Sequence, residues 1–217
     1  MRYLLFLAIV LQTLMCTSQD RLPLLFHETF DSGSAENWQP NLPENWQVIE
    51  KEGRFVYELS KAGTMGQVRK PTSISILEPY IVDDFELEVS AQCYTDTTNK
   101  RRDLVLVYGY QDSLHFYYTH FSAISDNVHN IIAIVNKADR AKINIEPVGQ
   151  SIAPLTGYQW FKLRVTRDSR SGRIECFVDA ARVLTATDTT FSSGRIGIGS
   201  FDDTGAFREI KLWGKAL

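Results

Sequence analysis

An excess of charge of either sign is what this chain lacks first. It has 23 Lys and Arg against 26 Asp and Glu, a formal net charge of −3, and the basic residues gather into no stripe. That argues against nucleic acid and anionic membranes as partners, because both are held by clustered cations. Long apolar runs are missing too. Outside Tyr3–Leu14, no segment approaches the ~20 apolar residues a spanning helix needs, so no membrane span is expected. Cysteine is scarce, at Cys16, Cys93 and Cys176. No amphipathic stretch exceeds two helical turns, and the chain carries no repeat, low-complexity tract or linker. Helical bundles and multidomain arrays are thereby excluded.

What is present begins with a leader. Arg2 supplies a positive n-region, Tyr3–Leu14 an apolar h-region, and Cys16-Thr17-Ser18 small residues suited to cleavage before Gln19. Residues 1–18 therefore read as a signal peptide, and residues 19–217 as one domain that is secreted or periplasmic. A lipid anchor through Cys16 is the lesser reading, because bulky Met15 precedes it. An oxidising compartment permits a Cys93–Cys176 disulfide, and two buried thiols are the alternative.

Short segments rich in Val, Ile, Tyr and Phe recur from His27 to Trp213, separated by turn residues. This pattern predicts an all-β, two-sheet antiparallel sandwich. WQVIEK and RFVYEL flank Glu52-Gly53 as a hairpin. A weaker strand is expected over Gly66–Ser75, interrupted by Pro71. In Asp84–Tyr94, Leu87, Val89, Ala91 and Cys93 fall on one face, and Glu86 and Glu88 on the other. Two carboxylates about 7 Å apart on one strand face could divide acid/base work. No neighbour in the sequence would raise one pKa above the other, and a solvated face is the simpler reading.

The organising stretch is Asp103–Asn136. Its middle strand places Phe116, Tyr118 and His120 on one side and His115, Tyr117 and Thr119 on the other, leaving no plainly solvated face. Such a strand is covered on both sides or lines a groove. The loop after it packs Asp126, Asn127, His129 and Asn130 together. The DTTNKRR connection before it carries Arg101 and Arg102, whose guanidinium groups suit a carboxylate or sulfate.

GRIGIGSFDDTGAFREIKLWG resembles the closing strand pair of concanavalin A-like jelly rolls, a group including laminin-G-like and 3-keto-disaccharide hydrolase-like (family-sixteen-like) domains. FHETFDSGSAENW with NWQV, DDFELEVSAQ and WFKLRVTRDSRSGRIECFVD are similar at corresponding places. HFYYTHFSAISDNVHN looks like a variant of secreted bacterial members. The resemblance implies a jelly-roll fold and a glycan partner, an oligosaccharide or polysaccharide. It does not carry over the glycosidase acids, since Glu86-Leu87-Glu88 lacks a third acid in register.

Three chemistries compete at the central segment. In the first, aromatic rings and polar groups form a sugar-binding groove, with Tyr110, Tyr118, His120, His129, Asp126, Asn130 and Arg101 or Arg102 contacting the ligand. In the second, His120 or His129 transfers a proton in a hydrolase or lyase, assisted by Tyr118. In the third, His120, His129 and Asp126 hold a divalent metal, although their spacing matches no metal signature. Asp202 and Asp203 are separately the kind of oxygen ligands calcium takes, and no other cofactor is expected. A laminin-G-like interaction module without glycan chemistry is the remaining alternative.

Overall fold

The computed structural model describes residues 22–147, 149–150 and 153–217. The leader and Cys16 lie outside the described residues. Among the described residues the chain builds fifteen strands and no α-helix.

An eight-stranded antiparallel sheet contains β1 (Leu24–Glu28), β3 (Trp46–Lys51), β4 (Arg54–Leu59), β6 (Val82–Cys93), β11 (Phe161–Asp168), β12 (Arg173–Val178), β13 (Ala181–Thr187) and β15 (Gly205–Ala216). Its order is β13-β12-β11-β6-β15-β4-β3, with β1 also paired to β15. The second, seven-stranded sheet contains β2 (Trp38–Pro40), β5 (Ser73–Leu77), β7 (Asp103–Asp112), β8 (His115–Ser122), β9 (Ile131–Asn136), β10 (Ala141–Lys142) and β14 (Arg195–Ser200). Its order is β10-β9-β8-β7-β14-β5-β2. This is the expected two-sheet antiparallel jelly-roll sandwich.

Alternation sets which side chains meet between the sheets. Leu87, Val89, Ala91 and Cys93 of β6, Leu163 and Val165 of β11, and Ile210 and Leu212 of β15 face Leu104, Leu106 and Tyr108 of β7 and Tyr117 of β8. Trp38 and Trp46 join this core beside Phe30 and Tyr57, with the Trp46 and Tyr57 ring centroids 4.7 Å apart. Both indoles are buried, so neither offers a ring to a sugar. Gly109 shows why β7 needs glycine there. Its φ is +58°, and a Cβ would lie 3.0 Å from the Tyr117 ring.

One open alternative is settled, and one expectation is corrected. Cys93 and Cys176 are free thiols. They sit on β6 and β12 with β11 between them. Two interstrand spacings of about 4.8 Å already exceed the Cα separation a disulfide tolerates. Cys93 faces the Asp103 carbonyl at 3.8 Å, while Cys176 lies 3.0 Å from Thr119 Oγ1. The weak strand expected over Gly66–Ser75 is also displaced. Only Ser73–Leu77 pairs, as β5, and residues 60–72 form an irregular strap.

Candidate functional sites on the two outer faces

The outer face of the seven-stranded sheet has its own apolar cluster. Ile74, Ile76, Val105, Val107, Phe116, Tyr118, Ile131, Ala133, Val135 and Phe201 are all buried there, with Val68 of the strap and Tyr110 packed against them. The strap is clasped to the β9–β10 turn. Arg69 N donates to Asp139 Oδ1 at 2.8 Å, and Arg140 N donates to the Arg69 carbonyl at 3.0 Å. The Arg140 guanidinium lies over the Phe201 ring, 4.4 Å from its centroid, and reaches the Tyr118 hydroxyl at 3.5 Å. Thr72 Oγ1 donates to the Phe201 carbonyl.

Tyr118 and His120 are therefore sealed, at 0% and 1% exposure. The strand is covered on both sides rather than open to a ligand. This closure corrects the expected open groove along Leu104–Phe121: Phe201 and Arg140 lie against Tyr118, Phe201 and His129 against His120, and Val68 of the strap packs on the same cluster. Burial raises the Tyr118 phenol well above its ordinary value, despite Arg140 beside it. Burial lowers the His120 imidazole far below its usual range, reinforced by Arg140 and His129.

The fold does bring most of the central set together. The His120 and His129 ring centroids lie 5.4 Å apart, and His120 Nε2 is 3.6 Å from Asp103 Oδ2. Asp126 grips His129 Nδ1 with both carboxylate oxygens, at 2.8 and 3.0 Å. Backbone N–H groups of Val128 and His129 donate to Asp126 Oδ1, both at 2.8 Å. Burial alone would raise the Asp126 carboxyl, but these bonds pull it below the ordinary carboxylate value. The His129 side chain is partly exposed, at 15%. Asn130 is buried at the start of β9 with φ of +52°.

The predicted cationic partners go elsewhere. Arg101 is exposed on the loop. Arg102 is wholly buried, donates to the Cys93 carbonyl at 2.6 Å and lies 5.1 Å from the Tyr158 ring centroid. It is thereby removed from any ligand. Tyr110 is half-buried near the far end of β7. Among the described residues, His120, His129 and Asp126 form no convergent three-ligand metal group.

One acidic group does converge. The carboxylates of Asp103, Asp202 and Asp203 lie within 4.8 Å of one another. Asp103 was missed in the sequence because it sits 100 positions from Asp203. Its Oδ1 accepts from Ser200 Oγ and Phe201 N, both at 2.9 Å, and its N–H donates to Asp203 Oδ2 at 2.6 Å. Burial, with repulsion from Asp103, pushes Asp203 up to about 7, and burial, with repulsion from Asp202, raises Asp103 as well. Hard oxygens suit calcium, but it takes about six to eight of them. Here several are already committed within the protein. The cluster is a buried Asp103–Asp203 pair with exposed Asp202 beside it.

The open cavity lies on the other sheet. Across the outer face of β12, β11, β6 and β15 runs a groove of about 720 Å³, lined by Glu86, Asp168 and Glu175, by Arg164, Arg167 and Arg173, and by Leu22, Phe85, Thr166, Phe177 and Trp213. Strand register builds it. Arg164 pairs with Phe177 and with Glu88, Thr166 with Glu175 and Glu86, and Glu86 with Trp213. Arg164 stacks 3.9 Å from the Phe177 ring centroid and lies 3.5 Å from Glu86 Oε2. Glu175 Oε1 accepts from Arg173 and Arg182, each at 2.7 Å. Burial would raise Glu175, but the two guanidinium groups hold it below the ordinary value. Glu88 is paired with Lys162 at 3.3 Å. The Glu86–Glu88 face thus neutralises arginine and lysine, and Glu175 stays ionised, the opposite of a general acid.

A scan against protein-family models finds no match, and a search of curated proteins finds none. Solved structures do match. A carbohydrate-binding module of Bacillus subtilis, CBM66, is 15% identical over 82% of this chain and 96% of its own, with a TM-score of 0.60. A Bacillus subtilis protein of unknown function with a galectin-like fold is 10% identical over 90% and 98%, with a TM-score of 0.59. Lectin I-B4 from Griffonia simplicifolia is 9% identical over 86% and 97%, with a TM-score of 0.54. The chain shares the galectin-like and concanavalin A-like jelly roll with these proteins.

Proposed function

We propose that this protein is a secreted or periplasmic carbohydrate-binding jelly roll that recognises a glycan through the groove on its eight-stranded sheet. The supporting observation is the groove's composition. Partly exposed Phe177 and Trp213 rings flank a row of paired Arg and Glu side chains. Flat apolar surface with a few convergent polar groups is what a sugar ring takes, and the volume falls within the roughly 300–1,000 Å³ of small-molecule sites. Three basic and three acidic residues line it, which favours an uncharged chain in this groove. The likeness to a carbohydrate-binding module and a lectin agrees with this reading.

The test is affinity electrophoresis and calorimetry of the full chain against a panel of soluble polysaccharides. At least one neutral glycan is expected to bind, without release of product. Trp213→Ala is expected to abolish that retardation while the fold, checked by circular dichroism, persists. A panel with no binder would sink the reading and favour an interaction module.

A second reading has its own observation. The Asp126–His129 pair fixes an imidazole with Nδ1 bound to a carboxylate, the arrangement that orients a general base. Product release from a bound glycan, lost in His129→Ala while binding is retained, would establish this hydrolase or lyase reading.

A further inference from the structure

The strap does not seal the seven-stranded sheet along its whole length. A cavity of about 230 Å³ lies against the strap and the outer face, lined by Asn41, Thr64, Lys70, Thr72, Tyr110 and Ser113 among others. It lies on the opposite sheet from the groove. It is also at the far end of β7 from His120, which pairs with Val105.

Its wall specifies a ligand. Lys70 Nζ donates to the Ser113 carbonyl at 2.6 Å and makes no ion pair among the described residues. An ammonium has three donors, so two remain. Burial draws the Lys70 pKa down, and Asp112 partly restores it. Asp112 itself is occupied, accepting from His115 Nδ1 at 2.8 Å and Leu114 N at 2.7 Å. Tyr110 leans on Phe116, with ring centroids 5.7 Å apart, and lines the cavity. A half-desolvated cation with open donors calls for an anion. An adjacent ring edge and phenol call for a hydroxylated ring rather than a bare ion. The volume is below the roughly 300 Å³ at which drug-sized pockets begin, which suits one pyranose rather than two.

We propose that this pocket binds a single hexuronic acid unit, with its carboxylate on Lys70 and its ring beside Tyr110. It is a second saccharide site on the face opposite the groove, so two glycan segments can be held at once. The choice of a sugar over other carboxylates rests on the glycan reading above. The site itself rests on the pocket.

The experiment titrates the full chain with D-glucuronate, D-galacturonate, D-glucose, acetate and sulfate, followed by calorimetry and amide NMR shifts. One or both uronates are expected to bind, with glucose, acetate and sulfate roughly tenfold or more weaker, equivalent to about 1.4 kcal/mol. Lys70→Met is expected to cost a similar factor and Lys70→Arg much less. Should Lys70→Met fail to fold, Tyr110→Phe reads the same site and is expected to weaken uronate severalfold. Trp213→Ala is expected to leave uronate affinity unchanged, which separates this site from the groove. Glucose binding as well as uronate would overturn the charge assignment. Acetate or sulfate binding as well would overturn the sugar. No uronate binding would overturn the site outright, even if the groove binds its glycan.

Discussion

The two outer faces of this sandwich are built from the same alternating strands and do opposite things with them. On the eight-stranded sheet the outward positions are Glu86, Glu88, Lys162, Arg164 and Glu175, paired into salt bridges beside partly exposed Phe177 and Trp213. On the seven-stranded sheet they are Val105, Val107, Phe116 and Tyr118, which must be covered and are covered by Val68 of the strap together with Phe201 and Arg140. The lesson concerns aromatic side chains. A ring among apolar neighbours is core wherever chain can cover it, whereas a ring among paired charges stays available. Tyr118 is the conspicuous ring in the sequence and Trp213 one that stays partly exposed in space.

The largest effect should come from the closed face. Tyr118→Ala removes a fully buried ring and is expected to cost roughly 3–5 kcal/mol, read from urea denaturation. Trp213→Ala, on the open face, should cost much less stability. If the two costs came out reversed, the assignment of closed and open faces would be wrong.

Next in size is the effect on binding. Trp213→Ala and Phe177→Ala are each expected to weaken the groove's glycan by about tenfold or more, as a central aromatic anchor does. Calorimetry with a bound polysaccharide measures it. Equal affinity in both variants would move recognition off this face.

The third prediction uses opposed titrations beneath the closed face. Asp203 is raised to about 7, so the folded state binds its proton more tightly than the unfolded chain does. Its contribution is present at low pH and is lost as pH rises from about 4 to about 7. His120 is shifted downward, so its contribution is present above about 6.5 and is lost as pH falls. In the native protein the two slopes partly cancel. Asp203→Asn removes the first, so this variant should gain relative stability at pH 8 and lose stability more steeply on acidification from pH 7 to 5. Urea midpoints across that range test it, and parallel curves would refute the opposed titration.

The smallest effect is expected at the rim. Asp126→Asn loosens the hold on His129 and should leave glycan affinity within about twofold, because the groove lies on the other sheet. A large loss would bring the His129 rim back as the site.

Much of this was legible in advance, for reasons that can be named. β3 and β4 fall where their patterns put them, because period-two alternation between turn residues survives any packing. The three-residue β2 was missed, since Trp38–Pro40 is too short to show a period. The closeness of His120, His129 and Asp126 was readable because one strand and its loop supply all three. Asp103 beside Asp203 was not, because that pairing depends on strand register between segments 100 positions apart. Arg101 and Arg102 looked equivalent, and only packing sent one to solvent and the other beneath Tyr158.

By itself the sequence determined an antiparallel all-β sandwich and which residues of an alternating strand share a face, because alternation is a local property of the extended chain. Tertiary structure decided which outward face stays open. That depended on where the strap of residues 60–72 came to rest, and no periodicity encodes the resting place of an irregular segment. Its position follows from Arg69, Asp139 and Arg140 meeting across 70 positions of chain.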